Sequence, residues 1–153
     1  MANIELRNIN KTYGKRKIIN NFSLNIYNNE MIAIVGKSGS GKTTLLNIIG
    51  LLDYDYDGEI LINEEIVASN EKITQNYHRF DIGFLFQNFA LIENWTIKEN
   101  LDVAKKYAEK VYTDENYKQI LDKVGLGYCD LNQKVYELSG GEQQRVAIAR
   151  LLV

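Results

Sequence analysis

Proline, cysteine and histidine are scarce in this sequence of 153 residues, which contains no proline, one cysteine and one histidine. Average usage of about 5% would supply several prolines. Their absence is compatible with chance in an Asn-, Ile- and Lys-rich sequence, or with a proline-bearing segment that lies outside it. The single cysteine, Cys129, excludes an internal disulfide and fits a reducing compartment. We expect it to be a half-buried small side chain.

Long apolar runs and an excess of positive charge are also absent. No run approaches the roughly 18 apolar residues that can cross a bilayer. The first residues, MANIELRNINKTYG, alternate in polarity and include Glu5, which is unlike a signal peptide. We therefore expect the chain to stay in the cytosol, where any connection to a membrane must come through a partner protein. The formal net charge of −2 argues against general nucleic-acid binding, which usually leaves a basic footprint.

Two kinds of strand are predicted in the first half of the chain. Alternating polarity predicts half-buried strands around residues 4–7, 22–27 and 59–62. Residues 31–35, MIAIV, are apolar at every position, as in a strand that is covered on both faces of a parallel sheet. Residues 81–86 are predicted to form one more strand.

Helices are predicted between and after these strands. Residues 44–52 form a mostly apolar stretch, and residues 114–125 carry apolar side chains at helical spacing. The patterns at residues 96–99 and 139–142 are capping boxes, and the second should open a helix that is still running at Val153. The only histidine, His78, is expected in a solvated loop.

The strongest local motif is GKSGSGKT, residues 36–43, which matches the phosphate-binding loop of P-loop proteins. Small residues let an anion approach successive backbone N–H groups, and the helix that follows points its positive end at the same place. The loop follows a predicted strand and precedes a predicted helix, as the motif requires, which leaves a glycine/serine surface loop as the weaker alternative. The residues predicted to bind nucleotide here are Gly36, Lys37, Ser38, Gly39, Ser40, Gly41, Lys42, Thr43 and Thr44.

A second motif is LSGGEQQR, residues 138–145. Ser139 and Glu142 would cap a surface helix in any protein, but that alternative does not explain Gly140 and Gly141, which cost roughly 1 kcal/mol each in a first helical turn. Glycines at a helix N-terminus leave the backbone open to an anion. The motif resembles the signature of ATP-binding cassette (ABC) ATPases, in which two copies pair head to tail.

This resemblance implies an α/β fold of the ABC-type P-loop NTPase class, with a parallel core sheet, an N-terminal antiparallel β part and a helical lobe, incomplete at the C-terminus. It implies ATP and Mg²⁺ as cofactors. Lys42 would contact the terminal phosphates, Thr43 and Gln87 the metal, and Tyr13 the adenine. Lys42 and Gln87 are the catalytic candidates. Ser139, Gly140, Gly141 and Gln143 would act on the nucleotide of a second copy.

The resemblance also implies the organisation and partners of the chain. Residues 1–86 would form the β part and the P-loop core, residues 87–138 the Q-loop and helical lobe, and residues 139–153 the signature helix. A membrane-spanning permease and a second ATPase domain would be the partners, without nucleic acid. Residues LLNIIGLLD and DGEI resemble the branch that exports macrolides, peptides and bacteriocins or releases lipoproteins.

Part of the family's hydrolytic machinery has no match in these 153 residues. The family's Walker B strand consists of four apolar residues ending in Asp, followed by a catalytic Glu. Residues 50–54, GLLDY, are the nearest match, but they directly follow the phosphate-loop helix and have Tyr54 in place of Glu. By resemblance, the Walker B segment and the strands that flank residues 31–35 lie beyond Val153. The chain alone is therefore expected to be inactive.

Three functional hypotheses remain open at this point. The leading one is the ATPase subunit of an ABC exporter. The second is a soluble ABC ATPase that acts on nucleic acid, which the compact segment between Gln87 and Ser139 and the balanced charge disfavour. The third is a hydrolytically inactive fragment that at most binds nucleotide. The transported substrate cannot be inferred from this sequence.

Overall fold

The structure is a computed structural model that describes residues 3–67, 71–105, 108 and 111–153. The chain divides into two compact units, the first ending at Ile82 and the second beginning at Gly83. The elements of the first unit are β1 (Ile4–Tyr13), β2 (Arg16–Ile26), α1 (Lys42–Ile49), β3 (Asp57–Ile62), β4 (Glu65–Ile66) and α2 (Glu71–Phe80). The strands form an antiparallel sheet in the order β2-β1-β3-β4.

The core of the first unit lies between this sheet and α1. Period-2 alternation places one set of side chains of β1 and β3 on the buried face, so Leu6 pairs with Ile60 across the two strands. Leu45 and Ile48 of α1 pack against the same face. The buried members of this core are Leu6, Ile9, Ile19, Leu45, Ile48, Leu51, Ile60, Ile62 and Val67. The predicted N-terminal antiparallel β part is thus confirmed.

Two predicted strands are not formed. Residues 31–35 and 81–86 belong to neither a strand nor a helix, and Met31 and Val35 are 98% and 87% exposed. A β-strand needs a hydrogen-bonded neighbour, and within the described part of the chain neither segment is paired with another strand. The apolar run at residues 31–35 therefore predicted a burial that Met31 and Val35 do not have.

The second unit is helical. It contains α3 (Ile97–Lys105), α4 (Asp114–Lys123), a 3-10 turn at Val135–Glu137 and α5 (Gly140–Leu151). The helical spacing predicted at residues 114–125 is confirmed, because Tyr117, Ile120 and Leu121 face inward. The buried members of this core are Ile97, Leu101, Tyr117, Ile120, Leu121, Leu126, Leu131, Leu138, Val146 and Ala149.

Both predicted capping boxes are present. The Thr96 hydroxyl accepts from the Glu99 N–H, and the Glu99 carboxylate accepts from the Thr96 N–H. The same reciprocal pair joins Ser139 and Glu142. The last helix, however, ends at Leu151 rather than continuing through Val153.

His78 and Cys129 can also be compared with their predictions. His78 lies on α2 instead of in a loop. Its exposed ring contacts the C-terminal end of α1, where its Nε2 is 2.7 Å from the carbonyl oxygen of the C-cap residue Gly50. Cys129 is half-buried, as expected, and burial raises the pKa of its thiol. None of the helices in the described residues is long and apolar enough to cross a membrane.

Candidate functional site

The phosphate-loop motif forms a turn that leads directly into α1. The Ser40 N–H donates to the Lys37 carbonyl at 3.2 Å, and α1 begins at Lys42. The Lys42 ammonium folds back over this turn and donates to the carbonyls of Gly36 and Lys37, both at 2.8 Å. The positive charge at the start of α1 is thus held against the loop by two hydrogen bonds.

Gly39 and Gly41 give the loop its shape. Their φ angles are +73° and +92°, in the left-handed region that side chains with a Cβ rarely adopt. At Gly41, which caps α1, a Cβ would also lie 2.7 Å from Cγ2 of Ile18 on β2. The sequence therefore needs glycine at this position both for the turn and for the close approach of the sheet.

The arrangement is suited to a polyphosphate. The first N–H groups of α1 have no intrahelical partners, and the helix dipole adds positive potential at the same end. Lys42 supplies a cation at this terminus, and Thr43 presents an exposed hydroxyl one residue further. Ser38 is exposed on the turn and Thr44 is half-buried in the first turn of the helix. The donor set of this loop fits a magnesium nucleotide.

Tyr13 lies at the end of β1, in a hairpin that contacts this loop through Arg16. It pairs with Arg16 across the β1–β2 turn, and the Arg16 guanidinium donates to the Gly39 carbonyl at 3.3 Å. The Tyr13 side chain is 52% exposed. An exposed aromatic ring on a hairpin that contacts the phosphate loop is well placed to receive the base of a nucleotide bound there.

Sequence reasoning missed Lys11 and Asp53, which both contact the Tyr13 side chain. Lys11 is buried in β1, and its ammonium contacts Asp53 Oδ1 at 2.8 Å and Asp55 Oδ2 at 3.2 Å. The spacing of Lys11 and Tyr13, two apart in a strand, puts them on one face and could have suggested the pair. Asp53 belongs to residues 50–54, the segment that resembles a Walker B strand without its catalytic Glu.

The signature motif forms the N-terminus of α5. Ser139 is the N-cap, and its hydroxyl lies 2.6 Å from Glu142 Oε2, while its N–H donates to the same oxygen at 2.8 Å. Gly140 and Gly141 follow as the first two exposed residues of the helix. A Cβ on Gly140 would meet no atom within 4 Å, so the space over this helix end is open.

Glu142 and Gln143 support the turn in different ways. The Glu142 carboxylate accepts from Ser139 and, through Oε1, from the Tyr128 hydroxyl at 2.7 Å. The hydrogen bonds from the Ser139 and Tyr128 side chains lower the pKa of Glu142 to about 2. The Gln143 amide points inward and donates to the carbonyls of Leu138 and Val135, at 3.0 and 3.3 Å. Gln143 therefore holds the turn before the helix.

Gln87 is an exposed residue at the start of a tight turn, residues 87–90. This turn is fastened by a residue that sequence reasoning missed. The Arg150 guanidinium, at the far end of α5, donates to the carbonyls of Ala90 at 2.7 Å and Phe89 at 3.0 Å. Arg150 is half-buried, and this burial lowers the pKa of its guanidinium.

A buried amide holds the same loop further along. The Asn100 side chain, fully enclosed in α3, accepts from the Ile92 N–H at 2.8 Å and donates to the Ile92 carbonyl at 3.1 Å. The sequence carries no signal for such contacts, because they join residues 8 and 60 positions apart. Residues 36–44 and Tyr13 belong to the first unit, whereas Gln87 and residues 139–143 belong to the second.

Comparisons with known proteins agree with these motifs. The sequence model of the family described as ABC transporter matches residues 19–153. The chain is 42% identical over 153 residues to the macrolide export ATP-binding/permease protein MacB of Campylobacter jejuni, covering 98% of this chain and 24% of MacB. It is 40% identical over 156 residues to the lipoprotein-releasing system ATP-binding protein LolD of Rickettsia bellii, covering 98% of this chain and 68% of LolD.

Solved structures are similar as well. The dimeric ATP-binding cassette MJ0796, in a post-hydrolysis state bound to ADP and phosphate, is 37% identical with a TM-score of 0.82. The match covers 97% of this chain and 68% of that one. The chain thus spans about a quarter of the length of MacB and about two thirds of the length of the single cassettes.

Proposed function

Because this chain belongs to the ABC transporter family and shares the fold of solved ATP-binding cassettes, we propose that it binds ATP and Mg²⁺ as the nucleotide-binding part of an ATPase that powers an exporter. The observation that carries this proposal is the pair of hydrogen bonds from the Lys42 ammonium, at the start of α1, to the carbonyls of Gly36 and Lys37. A lysine held by two carbonyls can exchange these acceptors for phosphate oxygens, which are charged and form stronger hydrogen bonds.

The residues of the loop divide the work of binding. Gly36, Lys37, Ser38, Gly39, Ser40 and Gly41 bring backbone N–H groups to the phosphates, and Lys42 neutralises their terminal charge. Thr43 and Gln87 offer oxygen ligands for Mg²⁺, which prefers oxygen ligands. Bound ATP supplies the phosphoanhydride whose cleavage drives the cycle. Lys42 and Gln87 are the catalytic residues of this proposal, one stabilising charge and the other orienting water.

The signature residues are assigned to the nucleotide of a second copy. Ser139, Gly140 and Gly141 leave an open helix N-terminus, which can hold one side of a triphosphate. Gln143 keeps the preceding turn in place. The dimeric state of MJ0796 supports such an assembly. Binding in trans makes ATP the link between two copies, because a ligand that contacts both copies stabilises the pair by mass action.

The membrane partner is proposed from the relatives. MacB is named an ATP-binding/permease protein, and LolD is named the ATP-binding protein of a lipoprotein-releasing system. We assign this chain to the inner face of the cell membrane, attached through a permease and without nucleic acid as a partner. Gln87 and the exposed turn after it are the contact proposed for that permease.

A binding experiment tests this function on the chain itself. ATP·Mg²⁺ is titrated into the parent, Lys42→Ala and Ser139→Arg proteins, and the mass of each complex is measured by analytical ultracentrifugation. Lys42→Ala should weaken ATP binding by about tenfold or more, since charged hydrogen bonds contribute about 1.5–3 kcal/mol each. Ser139→Arg should bind ATP but remain a monomer, and a mixture of the two variants should recover part of the dimer.

Circular dichroism of both variants controls for the fold. Parent-like ATP affinity in Lys42→Ala would show that the loop does not hold the phosphates. A parent dimer whose formation does not depend on ATP, or a Ser139→Arg dimer as stable as the parent, would contradict binding in trans.

A further inference from the structure

We propose that Lys11 and Asp53 are positioning residues that hold the Tyr13 ring as a fixed platform for the base of the bound nucleotide; this rests on the proposed nucleotide-binding function. Tyr13 on its own is a flexible exposed side chain. The structure gives it two separate anchors, one under the ring face and one at the hydroxyl.

The first anchor is a buried cation. Lys11 is only 2% exposed, which is rare for lysine unless its charge is paired. Asp53 and Asp55 supply that pairing, through two carboxylates and the Asp55 backbone carbonyl. The ammonium lies 4.9 Å from the centroid of the Tyr13 ring, within the range of a cation–π contact. Lys11 thus covers one face of the ring.

The second anchor is a hydrogen bond. The Tyr13 hydroxyl donates to Asp53 Oδ2 at 3.3 Å, while Oδ1 of the same carboxylate holds Lys11. One carboxylate therefore connects the ring tip to the cation beneath the ring. A tyrosine side chain has two main torsions, and contacts at its face and at its tip restrain both of them.

The restrained ring still has surface available for a ligand. Half of the side chain is exposed, and Lys11 occupies only one face. A base can stack on the other face, because every base presents a π surface. A ring that is already held in place loses less conformational freedom on binding, which improves affinity for the stacked partner. The Arg16 contact to Gly39 keeps this platform next to the phosphate loop.

The charges that hold the ring are maintained near neutral pH. Burial by itself would lower the pKa of Lys11, but hydrogen bonds with Asp53 and Asp55 outweigh it and raise the pKa. Burial would raise the pKa of Asp53, yet its hydrogen bonds with Lys11 and the Asp55 backbone lower it. Both groups of the pair therefore stay ionised near neutral pH.

The test separates recognition of the base from recognition of the phosphates. ATP·Mg²⁺ and inorganic tripolyphosphate·Mg²⁺ are titrated into the parent, Asp53→Asn, Tyr13→Phe and the double variant Lys11→Met/Asp53→Asn. The double variant removes both charges together, because a buried pair that loses one partner is strongly destabilised. Lys17→Met, at an exposed position on β2, is the matched control for the loss of a lysine.

We expect the double variant to bind ATP about three- to tenfold more weakly, with tripolyphosphate binding unchanged. Asp53→Asn and Tyr13→Phe should show a smaller loss that is again selective for ATP, and Lys17→Met should match the parent. If Lys11 and Asp53 only stabilised the fold, the variants would weaken ATP and tripolyphosphate binding to the same extent.

Equal loss of both ligands, or unchanged ATP affinity in the double variant, would overturn the positioning role. If the double variant does not fold, the Tyr13→Phe variant decides the question. This exposed position tolerates the change, which removes only the hydroxyl anchor. Parent-like ATP affinity in Tyr13→Phe would also overturn the positioning role. A parent protein that binds tripolyphosphate but gains nothing from the base refutes this inference alone. A parent that binds neither ligand refutes the proposed function and this inference with it.

Discussion

Among single residues, Glu142 shows how one side chain serves both structure and site. Its carboxylate accepts three hydrogen bonds, from the Ser139 N–H, the Ser139 hydroxyl and the Tyr128 hydroxyl. The Ser139 proton is thus directed toward Glu142. A phosphate oxygen that binds at this helix end in the proposed dimer must compete with Glu142 for that proton.

The pH dependence of stability follows from the lowered pKa of Glu142. Its pKa falls from 4.5 to about 2 on folding, chiefly through the Ser139 hydrogen bonds. A group with a depressed folded pKa stabilises the protein above the unfolded pKa, and this contribution is lost as pH falls through the folded pKa. We expect the urea midpoint of the parent to fall between pH 4.5 and 2 more steeply than that of Glu142→Gln.

A variant with an intermediate effect serves as the control for this measurement. Tyr128→Phe removes one of the three donors, so its urea midpoint should fall with a slope between those of the parent and Glu142→Gln. Identical slopes for the parent and Glu142→Gln would show that folding does not lower the pKa of the Glu142 carboxyl.

At the scale of elements, α5 presents the signature residues at one end and Arg150 at the other. Phe89 and Ala90, whose carbonyls Arg150 holds, have φ angles of +59° and +48°. Such angles are uncommon for residues other than glycine. The guanidinium fork compensates for this unfavourable turn and fixes the backbone that follows Gln87.

Removing the fork should loosen this turn. Arg150→Met keeps the apolar stem but loses both donors, so we expect a destabilisation of about 1–2 kcal/mol, discounted for partial solvation of the guanidinium. Backbone amides in residues 87–90 should also exchange faster in hydrogen-exchange measurements. Arg150→Lys should recover only part of both effects, since a single ammonium cannot reproduce a planar fork.

Lys118→Met, at an exposed position on α4, is the control for the loss of a positive charge from a helix of the same unit. If amide exchange at residues 87–90 is the same in Arg150→Met and in the parent, Arg150 does not hold the turn.

At the scale of the whole molecule, binding and hydrolysis should be separable. By resemblance, hydrolysis in this family needs a strand of four apolar residues that is followed by Asp and then by a catalytic Glu. The 153 residues contain no such segment. We therefore expect the chain to bind ATP but to release no phosphate in the steady state, because no carboxylate base orients the attacking water. Phosphate release is measured against a Lys42→Ala control, and release above that control would contradict the expectation.

Local patterns predicted local structure well. The capping boxes at Thr96 and Ser139 formed as expected, because each depends on two side chains three residues apart. The alternating strands around β1, β2 and β3 are also confirmed, since each segment carries its own buried face. The family and its ABC-type fold could be inferred from two motifs of eight residues, at residues 36–43 and 138–145.

Predictions that depended on distant partners were less successful. Residues 31–35 are apolar enough for a buried strand, but a strand forms only where another strand supplies its hydrogen bonds, and none does so in the described structure. His78 was expected in a loop but lies on α2, where its Nε2 contacts the Gly50 carbonyl, 28 residues away in the sequence. The end of α5 at Leu151 was missed for a local reason, since no glycine or other capping residue marks it in the sequence.

The sequence by itself determined the phosphate loop, the signature helix and the family, because the relevant groups are neighbours along the chain and their geometry follows from backbone conformation. Only the tertiary structure revealed how Lys11 and Asp53 hold Tyr13, and how Arg150 holds the turn after Gln87. These contacts join residues 42 and 60 positions apart. They depend on how strands and helices pack, because this packing brings together groups that are far apart in the sequence.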